Sequence, residues 1–368
     1  MLATVASPRA IASELAEHDL ESFQRLAEPW DELAIRGESP YLTVAWLAAW
    51  WRAFADERDV VALTLSSESG ELLAGGVFVR EGDGRLRAAT NSETADWEVV
   101  AIDEAAHRRF WEQLAGLDYA RLELPRVPRD TPAATAMRDT LTARGYKLSE
   151  TNDLASPRLE LPTSFDELLT RSRGLRKQLR RRRRAMDREG EVRLRTTTEP
   201  GGQLDRDLET FFEIEASGWK LEAGTAILSQ PRWERLYRDF AQAAATAGWL
   251  RLDLLELDGR PIAVDLGCTF ADSHYAIKTG FDERWRSLSP GTVLLAETIR
   301  ASIDEGLSHF DFLGGPDPYK TVWTPHLRHH IVVRAFRGPK TLSARLWWRH
   351  ARPALKRARD ATRALRRR

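Results

Sequence analysis

The chain has 368 residues, 42% hydrophobic and 30% charged, with a net charge of zero, which is the composition of a soluble globular protein long enough for two domains. One cysteine, Cys268, excludes an internal disulfide, and no apolar run approaches the ~20 residues that a membrane-spanning helix needs. Acidic residues come early (Glu14, Glu17, Asp19) and no basic stretch leads into an apolar one, so a cytoplasmic protein without a signal peptide is expected.

Residues 8–58 read as helical, with apolar spacing at Leu20, Phe23, Leu26 and Trp30 and again over Val44–Phe54; Tyr41, Trp46, Trp50 and Trp51 are expected to pack on the first sheet. Strands are predicted at Val60–Ser66, Leu72–Arg80 and Arg85–Thr90, with a turn near Ser69-Gly70, then a helix at Glu104–Gly116 and a strand at Tyr119–Leu124 that Pro125 and Pro128 end. Ala133–Arg144 is a short helix closed by Gly145, and Tyr146–Leu161 supplies the last strand of a first domain, 1–162.

A long helix follows between the capping box Ser164/Glu167 and Gly190, with a thin apolar stripe at Leu168, Leu175, Leu179 and Met186 and a kink or break expected at Gly174. Val192–Thr197 is a strand, and Asp205–Leu221 and Arg232–Ala247 are helices. Trp249–Leu257, the turn Asp258-Gly259, Arg260–Thr269 and His274–Thr279 form a meander; a helix at Thr292–Glu305, a strand at His309–Leu313 and a final strand at Ile331–Phe336 complete a second domain, 163–340. The two halves repeat the order hairpin, strand, helix, strand at a constant offset of 189 residues, as between Gly70 and Gly259.

Neutrality hides an asymmetry. Arg171–Arg195 holds twelve basic and three acidic residues, and Arg345–Arg368 ten basic and one acidic, so two basic segments flank an acidic body. The first either grips a nucleotide phosphate, a diphosphate-linked acceptor or tRNA through residues such as Arg176, Lys177 and Arg180, or only balances the body. With no aromatics interleaved, sequence-specific nucleic-acid readout is not expected. The tail, 341–368, carries Leu342, Leu346, Trp347 and Trp348 among arginines and reads as a basic amphipathic helix suited to an anionic membrane surface, or as a frayed tail.

Between the His274 strand and the Thr292 helix lies Arg286-Ser-Leu-Ser289-Pro290-Gly291. Small residues before a helix N-terminus let backbone N–H groups approach an anion, which makes this turn a candidate pyrophosphate site as well as a plain helix cap. Asn91–Trp97 offers no equivalent in the first half, where no cofactor is expected. Cys268 reads as buried filler. His326, His329 and His330 lack carboxylate or cysteine partners at ligand spacing, so no metal is expected.

A meander, this loop, a helix and a parallel-type strand together resemble the GNAT acyl-CoA N-acyltransferase fold, whose pyrophosphate signature Gln/Arg-x-x-Gly-x-Gly/Ala is matched by Arg286, Ser289 and Gly291, with Ser in place of the first Gly. Residues from about 165 to 325 are more specifically similar to the acetyltransferases associated with bacterial cellulose and exopolysaccharide synthesis (CelD-type). That likeness rests on Arg173-x-x-Arg176-Lys177-x-Leu179 through Arg184, Leu257-Asp-Gly259-Arg-Pro261-x-Ala263, Gly280-Phe-Asp282, Ser289-Pro-Gly291, Phe310-Asp311-Phe312 and Tyr319-Lys320-x-x-Trp323. The tandem arrangement and the last segment also resemble the Fem peptidyltransferases, which take amino acids from aminoacyl-tRNA. The fold class implied is α/β with mixed sheets: tandem GNAT-like domains, a basic helical arm and a basic C-terminal helix.

The resemblance implies direct attack of an amine on an acyl thioester in a ternary complex, with acetyl-CoA or another acyl-CoA as co-substrate. Tyr275, Ile277, Lys278, Arg286, Ser289, Pro290, Gly291 and Thr292 would bind the donor, the strand backbone from Tyr275 to Thr279 facing its pantetheine arm. Asp265, a carboxylate among apolar neighbours with a raised pKa, is the first candidate base, and Asp311 a second. Both read equally as satisfied structural acids. Tyr319 is the candidate acid and Lys320 a phosphate or oxyanion holder, against a buried hydroxyl and a snorkelling lysine as the plain alternatives. Arg176, Lys177, Arg180, Trp219 and Trp323 are candidates for the acceptor, an amine on a sugar or a lipid- or nucleotide-linked precursor. The rival functions are a Fem-like aminoacyl-tRNA-dependent transferase and a non-catalytic scaffold on a membrane or a polysaccharide synthase.

Overall fold

The protein's structure, a computed structural model, describes residues 14–56, 58–82, 84–217 and 226–338. The basic tail and Trp219 lie outside the described residues. The chain forms two compact units, each assembled from separated stretches of sequence.

Unit 1 comprises described residues up to Phe23, then Arg58–Asp153, then residues from His329 onward. Its strands are β1 (Ala16–His18), β2 (Asp59–Ser66), β3 (Leu72–Glu81), β4 (Arg85–Ala88), β5 (Val100–Ala101) and β6 (Arg121–Pro128), completed by the C-terminal strand β13 (Leu327–Phe336), in the order β1-β2-β3-β4-β6-β13, with β5 on β3. β4 and β6 are parallel, and helix α4 (Glu104–Gly116) makes the crossover. The Asp103 carboxylate caps α4 by accepting the Ala106 N–H, while Phe110, Trp111 and Leu114 sink into a core with Phe78, Trp97, Leu122 and Val333. Helix α5 (Pro132–Ala143) adds Met137 and Leu141 to it.

Unit 2 comprises Gln24–Glu57 and Leu154–Arg328. The N-terminal region is not continuously helical: after β1 come α1 (Leu20–Gln24), α2 (Ala27–Arg36) and α3 (Val44–Phe54). Nor does its aromatic bulk pack on the first sheet. Trp46 sets its ring edge-on to Phe240 at 5.2 Å and Tyr237 at 6.5 Å, both in the second half of the sequence. Periodicity marks which face of α3 is apolar, but not which surface receives it.

The sheet of unit 2 is built from β7 (Lys147–Glu160, through its last residues), β8 (Val192–Thr197), β9 (Leu250–Leu257), β10 (Arg260–Phe270), β11 (Ser273–Phe281) and β12 (His309–Asp311), in the order β7-β12-β11-β10-β9-β8. Around it lie α6 (Phe165–Thr170), α7 (Arg173–Asp187), α8 (Gly202–Glu215), α9 (Pro231–Thr246), α10 (Pro290–Asp304) and the short α11 (Pro318–Thr321). The expected long helix therefore breaks before Gly174, at Arg171-Ser172, because Ser172 starts a new helix by capping the Leu175 N–H. Leu175, Leu179 and Met186 bury against α10, at roughly 1.5–3 kcal/mol for each side chain removed from water. In unit 1, Pro125 does not end β6. It falls where the register with β13 shifts, so its missing N–H costs no ladder bond.

Among the described residues no helix is long and apolar enough to cross a membrane, and no group of His, Cys, Asp and Glu could hold a metal ion.

One buried carboxylate ties β8, β9 and α8 together. Asp207 accepts two bonds from Arg195 (2.6 and 2.9 Å), one from Thr197 (2.6 Å) and one from Gln203 (3.0 Å), while Arg195 also reaches Glu256. Burial pulls the Asp207 pKa up, but these donors outweigh it and hold the carboxyl below its usual range. Its contribution is therefore complete above the unfolded value near pH 4 and is lost as pH falls through the depressed one. Asp207→Ala should cost about 3 kcal/mol at pH 7 by urea unfolding, with the difference from wild type shrinking toward pH 2.5.

Candidate active site at the end of a parallel ladder

β11 and β12 share only three pairs, Ser273 with His309, His274 with Phe310 and Tyr275 with Asp311. β12 then ends, while β11 runs on to Phe281 along the edge of β10. Two devices drive the strands apart. On β11, Leu266 pairs with Lys278 but Gly267 pairs with Ala276, so Ile277 is an extra, bulged residue. After β12, Leu313 and Gly314 both take left-handed backbone angles (φ 50° and 58°) and turn the chain away.

That turn is held by two of the predicted catalytic residues. Asp311, fully buried, accepts the Leu313 N–H on Oδ1 at 2.9 Å, and its Oδ2 lies 3.7 Å from Arg328. Lys320 Nζ donates to the Leu313 carbonyl at 2.9 Å and sits 3.5 Å from Asp317. Burial lowers the Lys320 pKa, opposed by Asp317 and Asp311. Beside it, Tyr319 is half exposed. Loss of solvation, then the charges of Asp317 and Asp265, push its phenol up to about 12.

β11 leads to a turn (Glu283–Leu288) and to Ser289, which holds a left-handed conformation (φ 55°) and begins α10 without a side-chain cap. Pro290 occupies the first helical position and has no N–H, and the Ser289 carbonyl accepts the Thr292 and Val293 N–H groups. The Gly291 N–H has no partner among the described residues. A Cβ on Gly291 would meet only Phe281, at 3.4 Å, so the chain's own packing does not demand glycine there. Arg286 is exposed and doubly bonded to Glu283, at 2.6 and 2.8 Å. The turn expected to cradle an anion thus offers one amide, a helix N-terminus and an arginine already paired.

Of the other predicted donor-side residues, Tyr275 is fully buried and its hydroxyl donates to the Glu38 carbonyl, an anchor for the loop after α2. Ile277 is half-buried at the bulge, and Lys278 Nζ lies 5.6 Å from the Tyr237 ring centre. Trp323 is core, packed with Phe165. Arg176, Lys177 and Arg180 lie in the N-terminal half of α7. That half runs beside the C-terminal part of α10, since Leu175 and Leu179 share a cluster with Ile299 and Ile303, whereas Met186 joins Val293 and Leu294. The structure therefore does not bring these three to the Gly291 turn.

Asp265 is buried, and burial raises its pKa. Its neighbour is a residue that the sequence reading passed over: His274, fully buried, with Nε2 at 3.5 Å from Asp265 Oδ2 and its ring stacked on Phe310 at 4.7 Å. Gly267 makes room for that ring, for a Cβ there would sit 2.7 Å from the Tyr275 carbonyl oxygen and 2.8 Å from the imidazole. The hairpin turn at Ala271-Asp272 fixes His274 opposite Thr269, on the face of β10 that also carries Gly267 and Asp265. Cys268 is buried among these strands, and its thiol is pushed up by burial and by Asp265.

Unit 1 repeats the ladder to the residue. Leu86 pairs with Leu122 in parallel, each 189 positions before Tyr275 and Asp311. There, however, the segment 89–99 folds inward: the Trp97 N–H bonds to the Arg126 carbonyl of β6, its indole N–H reaches the Val77 carbonyl, and Thr90, Thr94 and Asp96 are buried.

Residues 173–321 match the family model described as an acetyltransferase (GNAT) domain. The C-terminal domain of a putative lysylphosphatidylglycerol synthetase from Agrobacterium fabrum superposes with a TM-score of 0.57 at 13% identity, over 88% of this chain and 97% of that one. FemX gives 0.56 at 12% identity, over 89% and 98%. L-PGS from Bacillus licheniformis gives 0.53 at 12%, over 89% and 93%. No curated protein matches in sequence. The fold is a tandem of GNAT-like folds with mixed sheets, and the protein is an acyltransferase carrying a GNAT domain in its second half.

Gly267→Ala should lower stability by about 1–3 kcal/mol in thermal or urea unfolding, because the added methyl meets backbone as well as the ring. A wild-type value would mean that β10 and β11 can part at the bulge without loss.

Proposed function

We propose that the protein moves an acyl group from acyl-CoA to an amine by direct attack, with the donor lying in the opening where β11 outruns β12. The single observation that carries this reading is the end of the ladder at Tyr275 and Asp311. An extended pantetheine arm would add along the backbone of β11 past that point, as a strand adds to a sheet edge. Its diphosphate would reach the Gly291 N–H and the N-terminus of α10, a placement worth about 0.3–2 kcal/mol per charge. Tyr319 would protonate the leaving thiolate, and Asp265 would receive the amine proton. Asp311 and Lys320 would keep the turn, and hence the opening, in shape. The likeness of residues 165–325 to the CelD-type family supports an acceptor amine on a sugar or lipid-linked envelope precursor. A cytoplasmic location follows, with the basic tail on the membrane face.

Calorimetric titration with acetyl-CoA should show binding by the wild type and at least a tenfold loss in Gly291→Trp, whose indole would fill the turn. A folded wild type that binds no acyl-CoA of any chain length would remove this reading.

A second reading, transfer of an aminoacyl group from tRNA, is favoured by two specific observations. The cradle has one partnerless amide and no spare cation. Arg173, Lys177, Arg180, Arg181 and Arg184 of α7 carry no carboxylate partner among the described residues. The likeness to FemX and to the lysylphosphatidylglycerol synthetase domain supports the same direction. On this reading Arg180→Glu with Arg184→Glu should weaken binding of a charged tRNA more than tenfold and flatten its salt dependence, while leaving acetyl-CoA titration unchanged.

A further inference from the structure

Asp265 poses a chemical problem for the reaction proposed above. Burial raises the pKa of this carboxyl and so works against the ionised form that a base needs. The groups that face it decide its state. From β9 come Asp253, paired opposite it across the ladder, and Arg251; from β10, Cys268; from α11, Tyr319; from β11, His274. Arg251 is already committed to Asp253 (2.9 Å) and to Glu305, and Asp253 accepts Thr196 (2.6 Å) and Thr298 (3.0 Å). With Arg251 so committed, His274 is the remaining nitrogen-bearing side chain among these groups that faces Asp265.

The pair is also conspicuous for what it lacks. Asp265 Oδ1 and both ring nitrogens of His274 are buried without a hydrogen-bond partner. Each such atom costs about 1–3 kcal/mol, so an arrangement with three of them together needs a reason other than stability. The sheet does not need them. In unit 1 the residue 189 positions before His274 is Arg85, paired with Glu81 and Glu123, and the matching part of β3 is Gly75-Gly76-Val77, without a carboxylate. Unit 2 instead places a glycine, Gly267, where the imidazole sits.

We infer that His274 is a positioning and tuning residue for Asp265: its imidazole, 3.5 Å away, offers an N–H that favours the ionised form of the buried carboxyl, the form able to take a proton from the acceptor amine. This rests on the acyl-transfer reading for its purpose, though not for its test. In the step it serves, the amine nitrogen bonds to the thioester carbon and the carbon–sulfur bond breaks. The amine proton passes to Asp265, and the Tyr319 hydroxyl proton passes to the sulfur. Asp265 then returns one proton to the Tyr319 oxygen, so the pair ends as it began. The direction of the Asp265 shift agrees, since burial raises it and His274 is the leading opposing influence.

The test is a pH titration of the protonated-carboxyl infrared band of Asp265 in the full chain, isolated as the band absent from Asp265→Asn. Replacing the imidazole in His274→Phe should raise the midpoint by at least one pH unit, a tenfold gain in proton affinity. His274→Asn, which keeps an N–H donor, should raise it less and serves also if the Phe variant does not fold. Midpoints unchanged from wild type in either folded variant would overturn the inference. A shift in Asn as large as in Phe would do the same, because volume alone would then be responsible. Since no donor or acceptor is present, this result is independent of whether acetyl-CoA binds.

Discussion

The pairing of β11 with β12 lasts three residues, and its end at Tyr275 and Asp311 is a constraint imposed by chemistry on both strands. A bulge at Ile277 bends β11, and a pair of left-handed residues, Leu313 and Gly314, bends the chain after β12. Left-handed angles are unfavourable for leucine, by roughly 1–2 kcal/mol, so the turn persists only because Asp311 and Lys320 grip both its N–H and its carbonyl. The separation of β11 from β12 beyond Tyr275 follows from that divergence.

The duplicated unit provides an internal control. The same parallel ladder forms in unit 1 with leucines at both central positions, so neither Tyr275 nor Asp311 is required by the sheet itself. What differs is the segment after the third strand. In unit 1 it turns inward and bonds to β6 through Trp97, whereas in unit 2 it becomes a turn with Gly291 at the start of a long helix. Two copies of one fold thus diverge through the loop that follows the ladder, with Trp97 packed on Phe78 in one and small residues in the other.

Much of this was legible in the sequence because it depends on local chemistry. Asp258-Gly259 is a hairpin turn with both residues at positive φ, and the 189-residue offset holds to the residue in both ladders. Val192–Thr197 and Glu104–Gly116 have the predicted bounds. What was not legible depends on partners distant in sequence. Trp46 is as apolar whether it meets one sheet or another, and only the fold sends it to Phe240. Asp311 reads as a cleft acid by alternation, yet its Oδ1 is spent on a turn that forms because Lys320 lies within reach. His274 was invisible because its meeting with Asp265 depends on the β10–β11 register and on the missing side chain at Gly267, which residue type alone does not announce. The break at Ser172 was masked by a stronger cap eight residues earlier, at Ser164.

On the acyl-transfer reading, the donor lies along β11 beyond the end of the ladder. Amide hydrogen exchange with and without acetyl-CoA tests it most directly, because an added arm would shield the strand backbone it lies against. The account predicts slowed exchange confined to Ala276–Phe281 and the first turn of α10, with unit 1 unchanged. Binding with protection elsewhere, and none on β11, would contradict it.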